Sequence, residues 1–281
     1  MAEPTTSGTT EIPFPVAPSP WFCRGEAFTF VTTIRASRDN ASLLPGSFND
    51  LEGESLFADR AHVGEYKGGL AMVMIVRYTD TPVGPYDELI WIPGKFSVPA
   101  GGPDALRITR IYVSTKESVY NGRKNWNICK AQAHFEFTPR PNATATQLPY
   151  SKISVAHPSD PSHPFFVVDL SSSMLTSAGI PVNTAYSPIS MQMVHPPVPQ
   201  SPNWREDGRV GTDKWWELTP GMKGKAGVVW AKGGLEGGKF GDGIGFPDVK
   251  LWSMGVWMRD FELDFGVGKM VGGSEEHAKT K

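Results

Sequence analysis

Proline and glycine limit this chain more than any other feature. With 25 Pro and 30 Gly spread over 281 residues, few stretches are long enough for an α-helix, because Pro breaks the i→i−4 ladder and Gly weakens it. What survives between the breakers is short and rich in β-branched and aromatic residues. Glu26–Ile34 and the more apolar Gly69–Tyr78 read as strands. So do 88–92, 107–113, 132–138, 153–157, 165–170, 189–194, 215–218 and 225–231. The segment 249–265 is long enough to be one bent strand or two. Many short strands at turn-rich spacing predict a mainly β, α+β fold, a barrel or a sandwich and not an alternating α/β sheet.

One helix stands out. Ser114-Thr-Lys-Glu117 has capping-box spacing and opens a short helix expected to stop at Gly122. The glycine-rich stretch 233–245 lacks the Gly-Lys-Ser/Thr ending of a phosphate loop and reads as a mobile surface loop. The expected organisation is an extended, proline-punctuated arm over 1–20, laid over the domain or a neighbouring subunit. A single domain follows over 21–268, then a disordered tail over 269–281.

The 27 basic and 29 acidic residues nearly cancel, and no Lys/Arg run offers a footprint for nucleic acid or an anionic membrane. The longest apolar runs are strand-sized, far short of the roughly 20 residues that cross a bilayer. The polar start lacks the features of a secretion signal, so a cytoplasmic protein is expected, with Asn40-Ala-Ser and Asn142-Ala-Thr as chance triplets. The two cysteines, Cys23 and Cys129, are expected as reduced, buried thiols. No zinc spacing exists and the six His are scattered, so neither metal nor cofactor is expected.

Two segments carry candidate chemistry. In Gly122-Arg-Lys-Asn-Trp-Asn-Ile-Cys-Lys130-Ala, the apolar company of Lys130 suggests burial, which an ammonium resists unless it is paired or deprotonated. A lysine amine is nucleophilic only when neutral. Bringing one from a reference pKa of about 10.4 to near 7 costs about 4–5 kcal/mol of cation stability, and an apolar pocket supplies such a term. The neutral amine condenses with a carbonyl to an iminium, an electron sink for cleaving an adjacent bond. In Gly84-Pro-Tyr-Asp-Glu-Leu-Ile-Trp91, Tyr86 and Glu88 are two apart on a strand and share a face. Glu88 is a candidate proton donor, base or positioner; a solvated strand-edge acid is the plainer reading. His134 stands four residues after Lys130, an even offset along a strand, as a substrate contact or an ordinary strand residue. Trp215, Trp216, Trp252 and Trp257, with Met254 and Met258, read as core; any lining a cavity would imply a larger, more apolar substrate. His157, His163 and His195 lie beside prolines in loop-like sequence and carry no assigned role.

These segments resemble the acetoacetate decarboxylase superfamily. Its lysine motif begins Gly-Arg, as Gly122-Arg123 does here, and Lys130 falls on the Schiff-base lysine. Its Tyr-x-Glu is similar to Tyr86-Asp87-Glu88, with Glu88 on the active-site glutamate. Phe22-Cys-Arg-Gly-Glu26 more loosely resembles the first strand, whose arginine binds the substrate carboxylate, which points to Arg24. The resemblance runs from about Gly68 to Phe137. It implies an antiparallel sheet forming an open, cone-like barrel, a homo-oligomer, and a lyase acting on a keto acid or related carbonyl metabolite. Lys130 and Glu88 would then be catalytic, and Tyr86, Arg24, Arg123 and His134 substrate-binding. Two departures bear on the reaction: Cys129 replaces the motif proline, and Ala131 replaces a second lysine. Decarboxylation is therefore weighed beside an aldolase, dehydratase or cyclase of secondary metabolism, and beside a non-catalytic small-molecule-binding barrel.

Overall fold

A computed structural model describes residues 12–36 and 43–271. The expected terminal segments 1–11 and 272–281, and the Asn40 triplet, lie outside the described residues. The strands in chain order begin with β1 (Trp21–Arg35), β2 (Tyr66–Asp80), β3 (Tyr86–Ile92), β4 (Lys95–Phe96), β5 (Ala105–Leu106), β6 (Arg110–Val113), β7 (Lys130–Gln132) and β8 (His134–Pro139). They continue as β9 (Tyr150–His157), β10 (Asp160–Ser172), β11 (Ile180–Asn183), β12 (Met193–His195), β13 (Trp216–Leu218), β14 (Gly221–Gly233), β15 (Met254–Phe265) and β16 (Lys269–Met270). The α-helices are α1 (Asp50–Gly53), α2 (Arg60–Val63), α3 (Lys116–Trp126) and α4 (Trp204–Asp207).

All the strands belong to one sheet whose main path is β16-β13-β12-β5-β4-β2-β1-β15-β14-β10-β9-β8. It does not close on itself, as the expected open barrel requires. Pairing is antiparallel except for β5 with β12 and β6 with β7. From β2 a branch runs through β3 and β6 to β7.

The period-2 alternation of β2 shows how one sheet serves two cores. Met72, Met74, Val76 and Tyr78 point into one apolar cluster, and Ala71, Val73 and Ile75 into the other. A strand buried on both faces has no polar alternation, which is why Gly69–Tyr78 reads as a continuous apolar run. β1 and β3 split the same way: Cys23 and Ile90 lie on the first side, Phe28 and Trp91 on the second.

Several local expectations need correction. Helix α3 runs through Gly122 to Trp126 and ends at Asn127, whose φ of 55° is left-handed. The capping box does not form: Thr115 occupies the N-cap without a side-chain bond. Ser114 Oγ instead accepts the backbone N–H of Asp87 at 2.9 Å, a tertiary contact outcompeting a local one. The 233–245 stretch is a surface loop over 236–239 but is anchored beyond it, with Phe240 and the adjoining Phe246 buried in the second core. A Cβ on Gly241 would stand 2.3 Å from the Pro247 carbonyl oxygen, so close backbone approach accounts for that glycine. Lys269–Met270, expected in the tail, pairs with β13. His195 is buried and ends β12 instead of lying in a loop, and its Nε2 accepts the Ile108 N–H at 3.3 Å. Burial, with the Arg107 cation beside it, holds its pKa down at about 3.

The described part of the arm lies over the domain. Ala17 N–H donates to Asn121 Oδ1 at 2.8 Å, and Pro15 O accepts from Asn121 Nδ2 at 2.8 Å. Both thiols are free and buried.

Candidate active site

Lys130 opens β7, which pairs parallel to β6 with Lys130 beside Ile111. Glu88 lies on β3, the other neighbour of β6, opposite Val113. Ile111 and Val113 are two apart, so Lys130 and Glu88 project from the same face of the branch. Two strand spacings separate them by about 10 Å of backbone, a gap that a lysine and a glutamate side chain span together. Lys130 Nζ stands 2.8 Å from Glu88 Oε2, with each side chain only 5% exposed.

The neighbours of the pair are neutral. Lys130 Nζ donates to Ser118 Oγ at 3.0 Å and to Tyr86 Oη at 3.4 Å. Tyr78 Oη donates to Glu88 Oε1 at 3.2 Å. Burial pushes the Tyr78 and Tyr86 hydroxyls well above the usual phenol range, and the Glu88 charge adds to it, so both remain proton-bound. Burial raises the Cys23 thiol to about 12 against the opposing pull of the Lys130 cation, leaving it a neutral wall group.

Helix α3 makes room for the amine. Ser118 and Gly122 are four residues apart and share a helix face, and Lys130 runs across that face. A Cβ on Gly122 would sit 2.6 Å from Lys130 Cδ and 2.7 Å from Cε. The first residue of the Gly-Arg motif is thus the gap that admits the lysine and not the helix stop.

The pair lines a cavity with about 630 Å³ of atom-free space, open solvent included. Its other walls are apolar, among them Met74, Ile90, Met191, Met222, Phe261 and Leu263. Trp21 and Trp126, packed edge to face at 5.3 Å, also line it. None of the tryptophans singled out from the sequence does: Trp257 is buried in the second core, and Trp252 is half exposed.

The structure therefore brings Lys130, Glu88 and Tyr86 together and leaves Arg24, Arg123 and His134 out of the cavity lining. Arg24 is exposed on the outward face of β1, paired in register with Glu262, while Cys23 beside it faces inward. Strand alternation puts adjacent residues on opposite faces, and Arg24 lines an adjoining recess that shares Cys23, Met222 and Leu263 with the cavity. Arg123 is fully buried with its guanidinium committed. Nη1 pairs with Glu52 Oε1 at 2.7 Å and reaches the Lys130 carbonyl at 3.3 Å; Nε donates to Val210 O at 2.9 Å and Nη2 to Pro199 O. His134 is exposed on β8, because the strand of Lys130 ends at Gln132 and the even offset does not carry past Ala133.

Tyr78, Ser118 and Cys23 are site residues that sequence reasoning missed. Tyr78 pairs in register with Tyr86, and Ser118 shares the helix face of Gly122. Both signals were periodic ones already in the sequence. No group of three or more His, Cys, Asp or Glu suited to a metal occurs among the described residues, and no described helix is long and apolar enough to cross a membrane.

Neither a family model nor a well-characterised protein matches the chain by sequence. Solved structures do match by shape. An acetoacetate decarboxylase structure aligns with a TM-score of 0.57 and 11% identity, over 96% of this chain and 95% of that one. The acetoacetate decarboxylase of Legionella pneumophila gives 0.53 and 12%, over 95% and 93%. The enduracididine biosynthesis enzyme MppR, complexed with pyruvate, gives 0.50 and 12%, over 96% and 95%. The chain has the acetoacetate decarboxylase-like fold.

Proposed function

We propose that the chain is an enzyme whose Lys130 condenses with the carbonyl of a small-molecule metabolite to form a Schiff base. The observation that carries this reading is the 2.8 Å Lys130–Glu88 pair in the wall of an otherwise largely apolar cavity. A lysine exposed to water needs no such arrangement. A buried one serves structure equally well with its charge sealed, not facing open space.

Proton movements follow from the contacts. Nζ becomes nucleophilic when one proton passes to Glu88, and the free amine adds to the carbonyl carbon. Glu88 returns the proton to the carbinolamine oxygen, water leaves, and the nitrogen ends as an iminium balanced by the Glu88 carboxylate. The hydroxyls of Tyr86 and Ser118 flank the nitrogen and are placed to hydrogen-bond the carbonyl oxygen as it becomes a hydroxyl. The iminium then accepts the electron pair of a bond to the adjacent carbon.

In a keto acid that bond joins the carboxyl group, and carbon dioxide departs. Decarboxylation is the reaction that the names of the fold relatives suggest. A second reading, in which the bond broken is C–H and the enamine goes on to aldol, dehydration or cyclisation steps, is favoured by one observation. Lys130 is the one cationic side chain among the described residues lining the cavity.

The test is reductive trapping. Incubation with carbonyl compounds and borohydride is expected to add the mass of the reduced adduct to Lys130, with none in Lys130→Ala. Absence of an adduct with every carbonyl tried, from a folded protein, would leave a binding barrel without covalent chemistry.

A further inference from the structure

We infer that the cavity takes an uncharged, apolar carbonyl compound with hydrogens on the carbon beside the carbonyl, and that Glu88 removes one of those hydrogens. This rests on the Schiff-base reading of Lys130.

The charge balance of the site is the first argument. The cavity is lined by one cation, Lys130, and one anion, Glu88, already in contact with each other. The paired site is neutral. A keto acid would add a second carboxylate within a few ångströms of Glu88, surrounded by methionine, isoleucine and phenylalanine side chains. Moving a carboxylate from water into such surroundings is strongly unfavourable unless a cation meets it. No guanidinium lines the cavity: Arg24 belongs to an adjoining exposed recess with Glu262 across from it, and Arg123 is committed to Glu52. Tyr86 and Ser118 offer hydroxyls, which can hydrogen-bond a carboxylate oxygen but bring no positive charge to balance it.

The second argument is the fate of the proton. Once the iminium has formed and water has left, Glu88 is again a carboxylate, and Tyr78 holds its Oε1. Its Oε2 stands beside the former amine, within reach of the carbon next to the iminium. Transfer of a proton from that carbon to Oε2 leaves the C–H electron pair in the iminium and gives the neutral enamine. Return of a proton regenerates the iminium, and water releases the ketone. The cycle balances with water as its only co-reactant. In heavy water it exchanges the hydrogens beside the carbonyl for deuterium.

The full chain is tested with straight-chain 2-alkanones against 2-oxo acids of matched length and acetoacetate. Adducts are trapped with cyanoborohydride and located by peptide mass, and exchange in deuterium oxide is followed by proton NMR. The expected result is Lys130 adduct from the ketones at least tenfold above the acids. Apparent affinity should rise about fourfold per added methylene until the cavity is filled. Exchange by the wild-type protein should fall about a hundredfold in Glu88→Gln. Equal or stronger trapping of the acids, or ketone adducts without exchange, overturns the inference and leaves the Schiff base standing. No adduct from either class removes the reading beneath it. Because exchange and trapping are read on the wild-type protein, a Glu88→Gln chain that fails to fold does not blunt the test.

Discussion

Two buried ion pairs of nearly equal length involve the Gly-Arg…Lys segment. Arg123–Glu52 closes at 2.7 Å and Lys130–Glu88 at 2.8 Å. The first is sealed: both side chains are fully buried, and the guanidinium also bonds three backbone carbonyls, two of them from distant parts of the chain. The second ends on open space, and the remaining contacts of Nζ are two neutral hydroxyls. A guanidinium keeps its charge in any protein environment and satisfies many acceptors at once, which suits a cross-link. An ammonium is the cation that can give up its proton. The Gly-Arg…Lys motif thus uses one cation to hold the loop and the other to face the cavity.

The difference between the pairs is open to direct test. The largest expected effect is on trapping: Lys130→Ala should abolish the borohydride adduct, whereas Lys124→Ala on α3 should retain it, as intact mass will show. Next comes stability. Arg123→Met leaves Glu52 charged and sealed, at an expected loss of about 3–5 kcal/mol by urea denaturation. Lys130→Met should cost less than half as much, because Glu88 keeps Tyr78 and access to water. The double substitution Lys130→Met with Glu88→Gln should come within about 1 kcal/mol of wild type, since buried pairs replaced together are often neutral. Equal losses for the two single substitutions would erase the distinction between a sealed pair and an open one.

Gly122→Ala probes the gap in α3. The new methyl group must displace Lys130, and a shift of about 1 Å is expected to slow adduct formation on the order of a hundredfold. Stability should change by only about 1 kcal/mol, as crowding opposes the better helix propensity of Ala. Stopped trapping assays beside thermal unfolding separate the two effects.

The smallest signal comes from the thiols, one near each pair. Cys23 feels Lys130 and Glu88, and Cys129 feels Glu52 and Arg123. Burial raises both, Cys23 to about 12 and Cys129 further, from 9.0 in the unfolded chain. Because the folded chain holds these protons more tightly, their contribution to stability is intact below about pH 9 and declines as pH rises toward 12. Urea midpoints at pH 8 and pH 10.5 should show the decline, and Cys23→Ala should lessen it. Alkylation at pH 8.5 should reach Cys23, on the cavity wall, before Cys129, which should react only at the rate of unfolding.

Much of this architecture was legible in local pattern. Period-2 spacing placed Tyr86 and Glu88 on one face, and the apolar company of Lys130 marked it as buried. The same rule, applied to Phe22-Cys23-Arg24, separates Arg24 from Cys23. It cannot tell which of the two faces inward, because β1 is flanked by cores on both sides of the sheet. Gly122 was legible as a motif residue and misleading as a helix stop, since the space it leaves is filled by a side chain eight positions later. Glu52 was invisible as a partner. It lies 71 positions from Arg123, and no periodicity relates residues that far apart.

The sequence by itself determined a β-rich fold built of short strands, and which lysine and which glutamate to examine, because burial and strand periodicity are written in nearest neighbours. Only the tertiary structure decided that Lys130 meets Glu88 across β6 and that Arg123 is spent on Glu52. It also decided that no second cation among the described residues enters the cavity. Those outcomes depend on strand order and on distances between remote segments, and Coulomb energy in a low-dielectric interior turns on a few ångströms that no local pattern specifies.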